Sequence, residues 1–251
     1  MTRKRVLTGA RIFDGARLLD DHALMIDQSG KTQILAPAAI PETCDVHRLD
    51  GGIITSGFVD LQVNGGGGVM LNAAPSLDTV ATIARAHRHL GTAAFLPTLI
   101  TDTRQHGIAA IKAVAQAIDQ NIPGVVGLHL EGPHLSVTRK GAHDGDLVRP
   151  MDDDDIALLL DTLQFIPNLF VTAAPENITC AQIETLSTAG VVVSIGHSDC
   201  DYDTAMRAFD AGARMATHLF NAMSQASARS PGLVGAALDH PGIAPGLIAD
   251  G

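Results

Sequence analysis

The chain has 251 residues, of which 46% are hydrophobic and 3% are aromatic, and its formal net charge is −10. This length and apolar content allow one α/β barrel or two smaller domains, with a core of Ala, Val, Leu and Ile. The negative charge argues against nucleic acid or an anionic membrane as a partner, and no apolar run approaches the roughly 20 residues that span a bilayer. Three cysteines without C-x-x-C spacing, Cys44, Cys180 and Cys200, and the lack of a signal-peptide pattern predict a cytoplasmic protein.

The first 50 residues have the pattern of a small β module. The short apolar segments Val6–Leu7 and Arg11–Phe13 lie on either side of a glycine, and Asp14-Gly15 is a turn pair. A further strand, Ala23–Ile26, precedes a Ser-Gly turn. We therefore predict a β module over residues 1–50.

From Gly51 onward, apolar strand patterns alternate with helical patterns, which is typical of β/α units around a parallel sheet. The predicted strands are Ile53–Val63, Ala93–Leu99, Val125–Leu130, Leu169–Ala173, Val191–Ile195, Arg214–His218 and Gly246–Ala249. The predicted helices include Leu77–Leu90, Gln105–Gln120, Asp152–Leu163, Ile178–Ala189 and Asp201–Ala211. We assign residues 51–251 to an α/β barrel domain.

Four consecutive aspartates, Asp152–Asp155, stand at the start of one predicted helix. Such a run could hold a metal, but carboxylates at a helix start also cap free N–H groups and face the positive end of the dipole. We therefore interpret these residues as the N-cap and first turn of the helix.

Seven strands are one fewer than a closed (β/α)8 TIM-type barrel requires. The last predicted strand ends just before Asp250-Gly251, and an open barrel would leave a bare strand edge. We therefore expect a (β/α)8 barrel that is truncated before its last strand.

Three metal-ligating residue types occur at the ends of predicted strands. Glu131 follows an apolar strand directly, His197 follows the strand that ends at Ile195, and His218 ends the next strand. The carboxyl ends of barrel strands form one face, so these side chains should meet there and bind one divalent metal with an open position. Zinc suits this set, with iron, manganese or cobalt as alternatives. His129 is predicted to be a core residue or to lie behind a ligand.

Five segments together resemble the N-acetylglucosamine-6-phosphate deacetylase family of the amidohydrolase superfamily. They are Ser56–Asp60, Glu131–Pro133, Gly196–Ser198, Thr217–Met223 and Gly246–Gly251. The combination is specific, whereas no one of these motifs would be. The resemblance also implies that the N-terminal module is part of a β-sandwich.

The resemblance implies that Glu131, His197 and His218 are the metal ligands. It implies substrate-contacting roles for four further residues: His143, Asn221, Ala222 and Arg229. The Asn221-Ala222 turn and Arg229 match positions that hold the sugar phosphate, and a guanidinium suits a phosphate because it can donate two parallel hydrogen bonds.

Other positions refine what the resemblance implies. Many metal-dependent amidohydrolases carry His-x-His at the end of the first barrel strand, where this chain has Gln62 and Asn64. Neutral amides are poor metal ligands beside imidazole, so we expect one metal. The run Gly65–Gly68 predicts a mobile loop or a turn that approaches its neighbours closely. The family's catalytic aspartate and carbonyl-polarising histidine would both lie beyond Gly251, so this chain would be inactive by itself.

The implied reaction is deacetylation of N-acetylglucosamine 6-phosphate to glucosamine 6-phosphate and acetate, with a homodimer as the complete enzyme. One alternative is another amidase of the superfamily, similar to dihydroorotase, which would open a cyclic amide and release no acetate. A second alternative is a non-catalytic fragment that binds a metal or a sugar phosphate.

Overall fold

The computed structural model describes residues 4–248 and 250. The chain divides into two compact units, Met1–Phe58 and Val59–Gly251. The domain boundary near residue 50 stays a prediction.

The first unit contains two small sheets. Its strands are β1 (Arg5–Thr8), β2 (Arg11–Phe13), β3 (Leu18–Leu19), β4 (Ala23–Ile26), β5 (Thr32–Leu35), β6 (Asp45–Arg48) and β7 (Ile53–Ile54), with a 3-10 turn at Pro37–Ala39. One sheet has the order β5-β4-β1-β6 and the other has the order β3-β2-β7. Val6, Ala23 and Met25 form a buried cluster in this unit, and the predicted β module is confirmed.

The second unit alternates strands and helices. Its strands are β8 (Phe58–Val63), β9 (Gly65–Gly66), β10 (Val69–Met70), β11 (Thr92–Ile100), β12 (Leu128–Glu131), β13 (Leu169–Ala173), β14 (Val192–Ile195), β15 (Met215–Ala216) and β16 (Ala244–Pro245). Its helices are α1 (Leu77–His89), α2 (Arg104–Asp119), α3 (Asp153–Thr162), α4 (Cys180–Ala189), α5 (Tyr202–Asp210) and α6 (Gly232–Asp239), with a 3-10 turn at Val137–Arg139.

Seven of these strands form one curled sheet with the order β16-β15-β14-β13-β12-β11-β8. Every pairing from β11 to β16 is parallel. The order follows the chain because each strand is joined to its neighbour by a helical crossover. The core is mostly Ala, Val, Leu and Ile, as the composition predicts. All six carboxyl ends from β11 to β16 therefore lie on the same face.

Several predicted bounds were wrong. The segment Ile53–Val63 is two strands, because the Thr-Ser-Gly sequence after Ile54 interrupts it and Ile53–Ile54 pairs with β2. The last strand is Ala244–Pro245, earlier than predicted, while Ala249 lies outside the described residues. The helix Gly232–Asp239 was not among the predicted helices; its Gly-Ala-rich sequence gives no polar face to mark it.

Two local predictions can be compared directly with the structure. Asp152 is the N-cap of α3 and forms a capping box with Asp155, which confirms the interpretation of the aspartate run. The glycine run forms a tight hairpin of β9 and β10. A Cβ atom at Gly66 would lie 3.0 Å from the ring of His87. Close packing against α1, the second of the two predicted possibilities, explains these glycines.

Candidate metal centre

Glu131, His197 and His218 converge at the carboxyl ends of neighbouring strands. The Nε2 atoms of His197 and His218 each lie 3.2 Å from Oε1 of Glu131, and they lie 3.0 Å from each other. Glu131 and His197 are buried, with 2% and 5% of their surfaces exposed. The structure therefore brings the three predicted ligands together although they are up to 87 positions apart in sequence (218 − 131).

The hydrogen bond of His197 fixes which of its ring nitrogens has a lone pair. Nδ1 lies 2.8 Å from the carbonyl oxygen of Arg139, which can only accept, so Nδ1 carries the proton. In the neutral ring, Nε2 then has a lone pair directed at Glu131 and His218. A ring nitrogen must be unprotonated to bind a metal, so this tautomer leaves Nε2 of His197 free to act as a ligand.

His218 offers the second imidazole nitrogen at the site. Its Nδ1 is buried and has no hydrogen-bond partner among the described residues, while its Nε2 faces the carboxylate. A carboxylate oxygen and two imidazole nitrogens are ligands that zinc and related divalent ions prefer. By donor chemistry and burial, these residues fit a divalent metal.

His143 has the opposite tautomer to His197. The backbone N–H of Thr101 donates to its Nδ1 at 3.2 Å, so in the neutral ring Nε2 carries the proton. That Nε2 lies 3.5 Å from Oε2 of Glu131. Glu131, His143 and His197 also have ligand atoms within 4.8 Å of one another. The tautomer nevertheless makes His143 a hydrogen-bond donor at the site and leaves His218 as the better third ligand.

Gln62 contacts the same carboxylate. Its side-chain N–H donates to Oε1 of Glu131 at 2.9 Å. An amide donor orients the carboxylate without competing for a metal, which agrees with the prediction that Gln62 is not a ligand. No local pattern in the chain indicated this contact, because 69 positions separate the two residues.

The charge state of the site follows from burial and these contacts. Burial by itself would raise the pKa of Glu131, but the contacts with the surrounding imidazoles, led by the one with His143, outweigh it and hold that pKa well below its usual value. Burial would lower the pKa of His218, yet the contact with Glu131 raises it overall. Burial lowers the pKa of His129 to about 4, so that ring is neutral near pH 7. The carboxylate is thus ionised at any pH near neutrality.

Backbone strain is concentrated around the site. Six non-glycine residues among those described have a positive φ: Asp21, Asn121, His197, His218, Phe220 and Ala222. Four of the six lie in the loops after β14 and β15, which carry two of the proposed ligands: His197, His218, Phe220 and Ala222. Left-handed conformations are costly for such residues and occur most often where function requires a particular geometry.

The predicted substrate residues fall into two groups. His143 lies at the site, and the Asn221-Ala222 turn follows His218 directly, with the Asn221 N–H donating to the His218 carbonyl at 2.9 Å. Arg229 is exposed, in a loop where Ser227 and Ser230 pair. Within residues 4–248 its guanidinium has no hydrogen bond or ion pair, so the structure does not join it to the other three predicted substrate residues.

Comparisons with known proteins agree with this geometry. The family described as NagA composite domain matches residues 6–54. Over 82% of its length the chain is 44% identical to the N-acetylgalactosamine-6-phosphate deacetylase of Shewanella sp. strain ANA-3, covering 52% of that protein. The N-acetylglucosamine-6-phosphate deacetylase structure from Pasteurella multocida has a TM-score of 0.92 and 37% identity, over 98% of this chain and 65% of that one. The corresponding Mycobacterium smegmatis structure has a TM-score of 0.86 and 33% identity, over 97% and 68%.

The chain belongs to the N-acetylglucosamine-6-phosphate deacetylase family. The resemblance drawn from the motifs is confirmed, as is the fold class of a TIM-type barrel with a small N-terminal β module. The chain spans about half the length of the Shewanella relative and about two thirds of the Pasteurella and Mycobacterium chains. Among the described residues, no helix is both long and apolar enough to cross a membrane.

Proposed function

We propose that this protein removes the acetyl group of N-acetylglucosamine 6-phosphate, using one divalent metal held by Glu131, His197 and His218. The observation that carries the proposal is the meeting of an ionised carboxylate with two imidazole nitrogens, at least one of which presents a lone pair. The names of the relatives support the reaction and the substrate class.

A divalent ion held by Glu131, His197 and His218 would supply Lewis-acid polarisation of the amide and activation of water. The chain's own groups position the substrate. His143 presents an Nε2–H that can donate to the acyl oxygen, because Thr101 occupies its other nitrogen. We propose that the Asn221-Ala222 turn and Arg229 hold the phosphate, so that remote binding energy orients the scissile amide. The catalytic aspartate that the resemblance implies stays a prediction.

Finer properties belong to the same proposal. Zinc is our first choice for the metal, with iron, manganese or cobalt as alternatives. We keep the homodimer and the cytoplasmic location as predictions. A second candidate substrate is the 4-epimer, N-acetylgalactosamine 6-phosphate, because the Shewanella relative is named for it.

The test is acetate release together with metal content, measured on the 251-residue chain and on the full product of its reading frame. Each protein is assayed with N-acetylglucosamine 6-phosphate and N-acetylgalactosamine 6-phosphate, with unphosphorylated N-acetylglucosamine and dihydroorotate as controls. We expect acetate from a phosphorylated sugar only, in the metal-loaded full product. Metal binding without acetate from either phosphate would favour the binding alternative, and opening of dihydroorotate would favour the cyclic amidase.

A further inference from the structure

Five buried polar side chains form a continuous chain of hydrogen bonds inside the curled sheet. We call them the interior polar layer: Thr98, His129, Thr172, Ser194 and Thr217. They come from the five neighbouring strands β11 to β15 or, for Thr217, from the residue that follows β15, and none is more than 4% exposed. Barrel interiors are usually filled by apolar side chains, so a polar layer at this depth calls for a physical reason.

The hydrogen bonds of the layer connect neighbouring strands and, at one point, two strands that are not adjacent. Nδ1 of His129 lies 3.3 Å from the Thr98 hydroxyl, and its Nε2 lies 2.8 Å from the Thr172 hydroxyl. The Thr172 hydroxyl lies 2.7 Å from that of Thr217, which lies 2.6 Å from that of Ser194. The contact between Thr172 and Thr217 passes from β13 to the end of β15 without using β14. The layer therefore joins the strands across the concave side of the sheet.

One arrangement of protons satisfies every member. The Thr98 hydroxyl donates to the Leu96 carbonyl and accepts from the backbone N–H of Val63, so His129 must donate to Thr98 through Nδ1. Nε2 of His129 then accepts from Thr172, and the remaining hydroxyls donate in the same direction. Ser194 at one end only donates, and every other hydroxyl both accepts and donates, so the chain has a single direction that ends at the backbone carbonyl of Leu96.

The layer lies directly behind the three proposed metal ligands. Thr172 pairs in register with Glu131 on the neighbouring strand, and its carbonyl accepts the N–H of Gly132 at 3.0 Å. A Cβ atom at Gly196 would lie 2.9 Å from Cβ of Thr217 and 3.0 Å from Cγ2 of Thr172. The layer thus packs against the backbone that leads into His197, and Thr217 immediately precedes His218.

We propose that the interior polar layer positions the metal ligands, so that its directed hydrogen bonds set the geometry and affinity of the metal centre. The proposal rests on the metal centre of the proposed function. A connected polar layer suits this role because each hydrogen bond has a preferred length and direction, whereas apolar contacts tolerate small sliding of one strand past another. The layer residues act through the ligands and are positioning residues.

Two substitutions at Thr172 separate the effect of its hydroxyl group from the effect of its side-chain shape. Thr172→Val keeps the volume and removes the central hydroxyl, whereas Thr172→Ser keeps the hydroxyl and removes a methyl group. Thr162→Val is the matched control, because Thr162 is equally buried and its hydroxyl donates at 2.8 Å to the Leu158 carbonyl within α3. Co²⁺ is the probe: its dissociation constant is measured by chelator competition, and its visible absorption bands report the ligand geometry.

We expect Thr172→Val to weaken Co²⁺ binding by about 10- to 100-fold, the range typical for loss of a residue behind a ligand, and to shift the absorption bands. Thr172→Ser should stay within about threefold of the parent, and Thr162→Val should bind as the parent does. A role in stability alone would lower the unfolding midpoint and leave the spectrum and affinity of the folded protein unchanged, which would overturn the proposal.

Ser194→Ala keeps the test decisive if Thr172→Val does not fold, since it removes only the terminal donor of the layer. It should weaken Co²⁺ binding several-fold and leave the circular dichroism spectrum unchanged. Unaltered binding in Ser194→Ala, or failure of both variants to fold, would overturn the positioning role. If the parent itself binds no Co²⁺, the metal centre of the proposed function is disproved. If the parent binds and every layer variant binds equally, only the present inference fails.

Discussion

Glu131 and Asp155 are both buried carboxylates at the second unit's core, with 2% and 5% of their surfaces exposed, yet their partners differ in kind. Arg149 donates to both oxygens of Asp155 at 2.5 and 2.7 Å, and Arg104 adds two further N–H groups. Within the described residues, no lysine or arginine nitrogen lies within 4.0 Å of the Glu131 carboxylate; its ionic partners are imidazoles.

This difference separates a structural carboxylate from one that can hold a metal. Two permanently charged guanidiniums and a backbone N–H saturate Asp155, which ties the start of α3 to α2. Glu131 has one amide donor and an Nε2–H from His143, while the lone pair of His197 adds no positive charge. A divalent cation at the site would balance its negative charge. Burial of a carboxylate by itself does not mark a metal ligand; the nature of its partners does.

The largest expected effect is on metal binding at Glu131. Glu131→Gln keeps the size of the side chain and removes its charge, so Co²⁺ or Zn²⁺ affinity should fall by more than about 100-fold, because even loss of a residue behind a ligand costs 10- to 100-fold. The unfolding free energy of the metal-free protein should change by only about 1 kcal/mol. Metal analysis after dialysis and urea unfolding measure the two quantities. Full metal stoichiometry in this variant would disprove the ligand assignment.

Asp155 should show the reverse behaviour. Asp155→Ala leaves two guanidiniums without their shared partner and should cost roughly 2–3 kcal/mol of unfolding free energy. That estimate lies below the range for fully buried pairs because both arginines are about one-third exposed. The affinity of the folded variant for Co²⁺ should equal that of the parent. A stability change under about 0.5 kcal/mol, measured in urea, would contradict the structural role.

The contribution of Asp155 should depend on pH in a defined direction. Burial would raise the pKa of Asp155, but the hydrogen bonds from Arg149 and the backbone of Asp152 outweigh it and lower that pKa. A lowered folded-state pKa stabilises the protein above the unfolded-state value of about 3.9 and loses this effect as the pH falls through the folded-state value. The difference in unfolding free energy between the parent and Asp155→Asn should therefore be constant from about pH 7 to 5 and shrink below about pH 4. Urea titrations at several pH values test this, and a difference that grows in acid would refute it.

The smallest expected effect concerns Gln62. Gln62→Met removes the amide that donates to Oε1 of Glu131 and nearly preserves the volume. The carboxylate then keeps its charge and its imidazole partners but loses one orienting contact, so metal affinity should fall by about 10-fold or less. Chelator competition on both Gln62→Met and Glu131→Gln shows which substitution weakens metal binding more. A larger loss in Gln62→Met than in Glu131→Gln would reverse the roles assigned to these residues.

The sequence predicted much of the scaffold because its signals are local. The alternation of apolar strands and helical segments depends on periodicity within about ten residues, and it located the strands that carry the three ligands. The aspartate run before α3 could be interpreted as a cap for the same reason. Where the local signal was weak, as for the apolar helix Gly232–Asp239 or the interrupted segment Ile53–Val63, the prediction was incomplete or wrong.

The sequence by itself therefore determined a parallel α/β unit with a Glu and two His residues at the ends of its strands, because strand direction places all carboxyl ends on one face. Only the tertiary structure decided the opposite tautomers of His143 and His197, since the backbone groups that fix them lie 42 and 58 positions away. It likewise decided that Asp155 meets Arg104 and that five polar residues connect behind the ligands. Hydrogen bonds between distant segments depend on positions accurate to fractions of an ångström, and no periodic pattern in the chain encodes them.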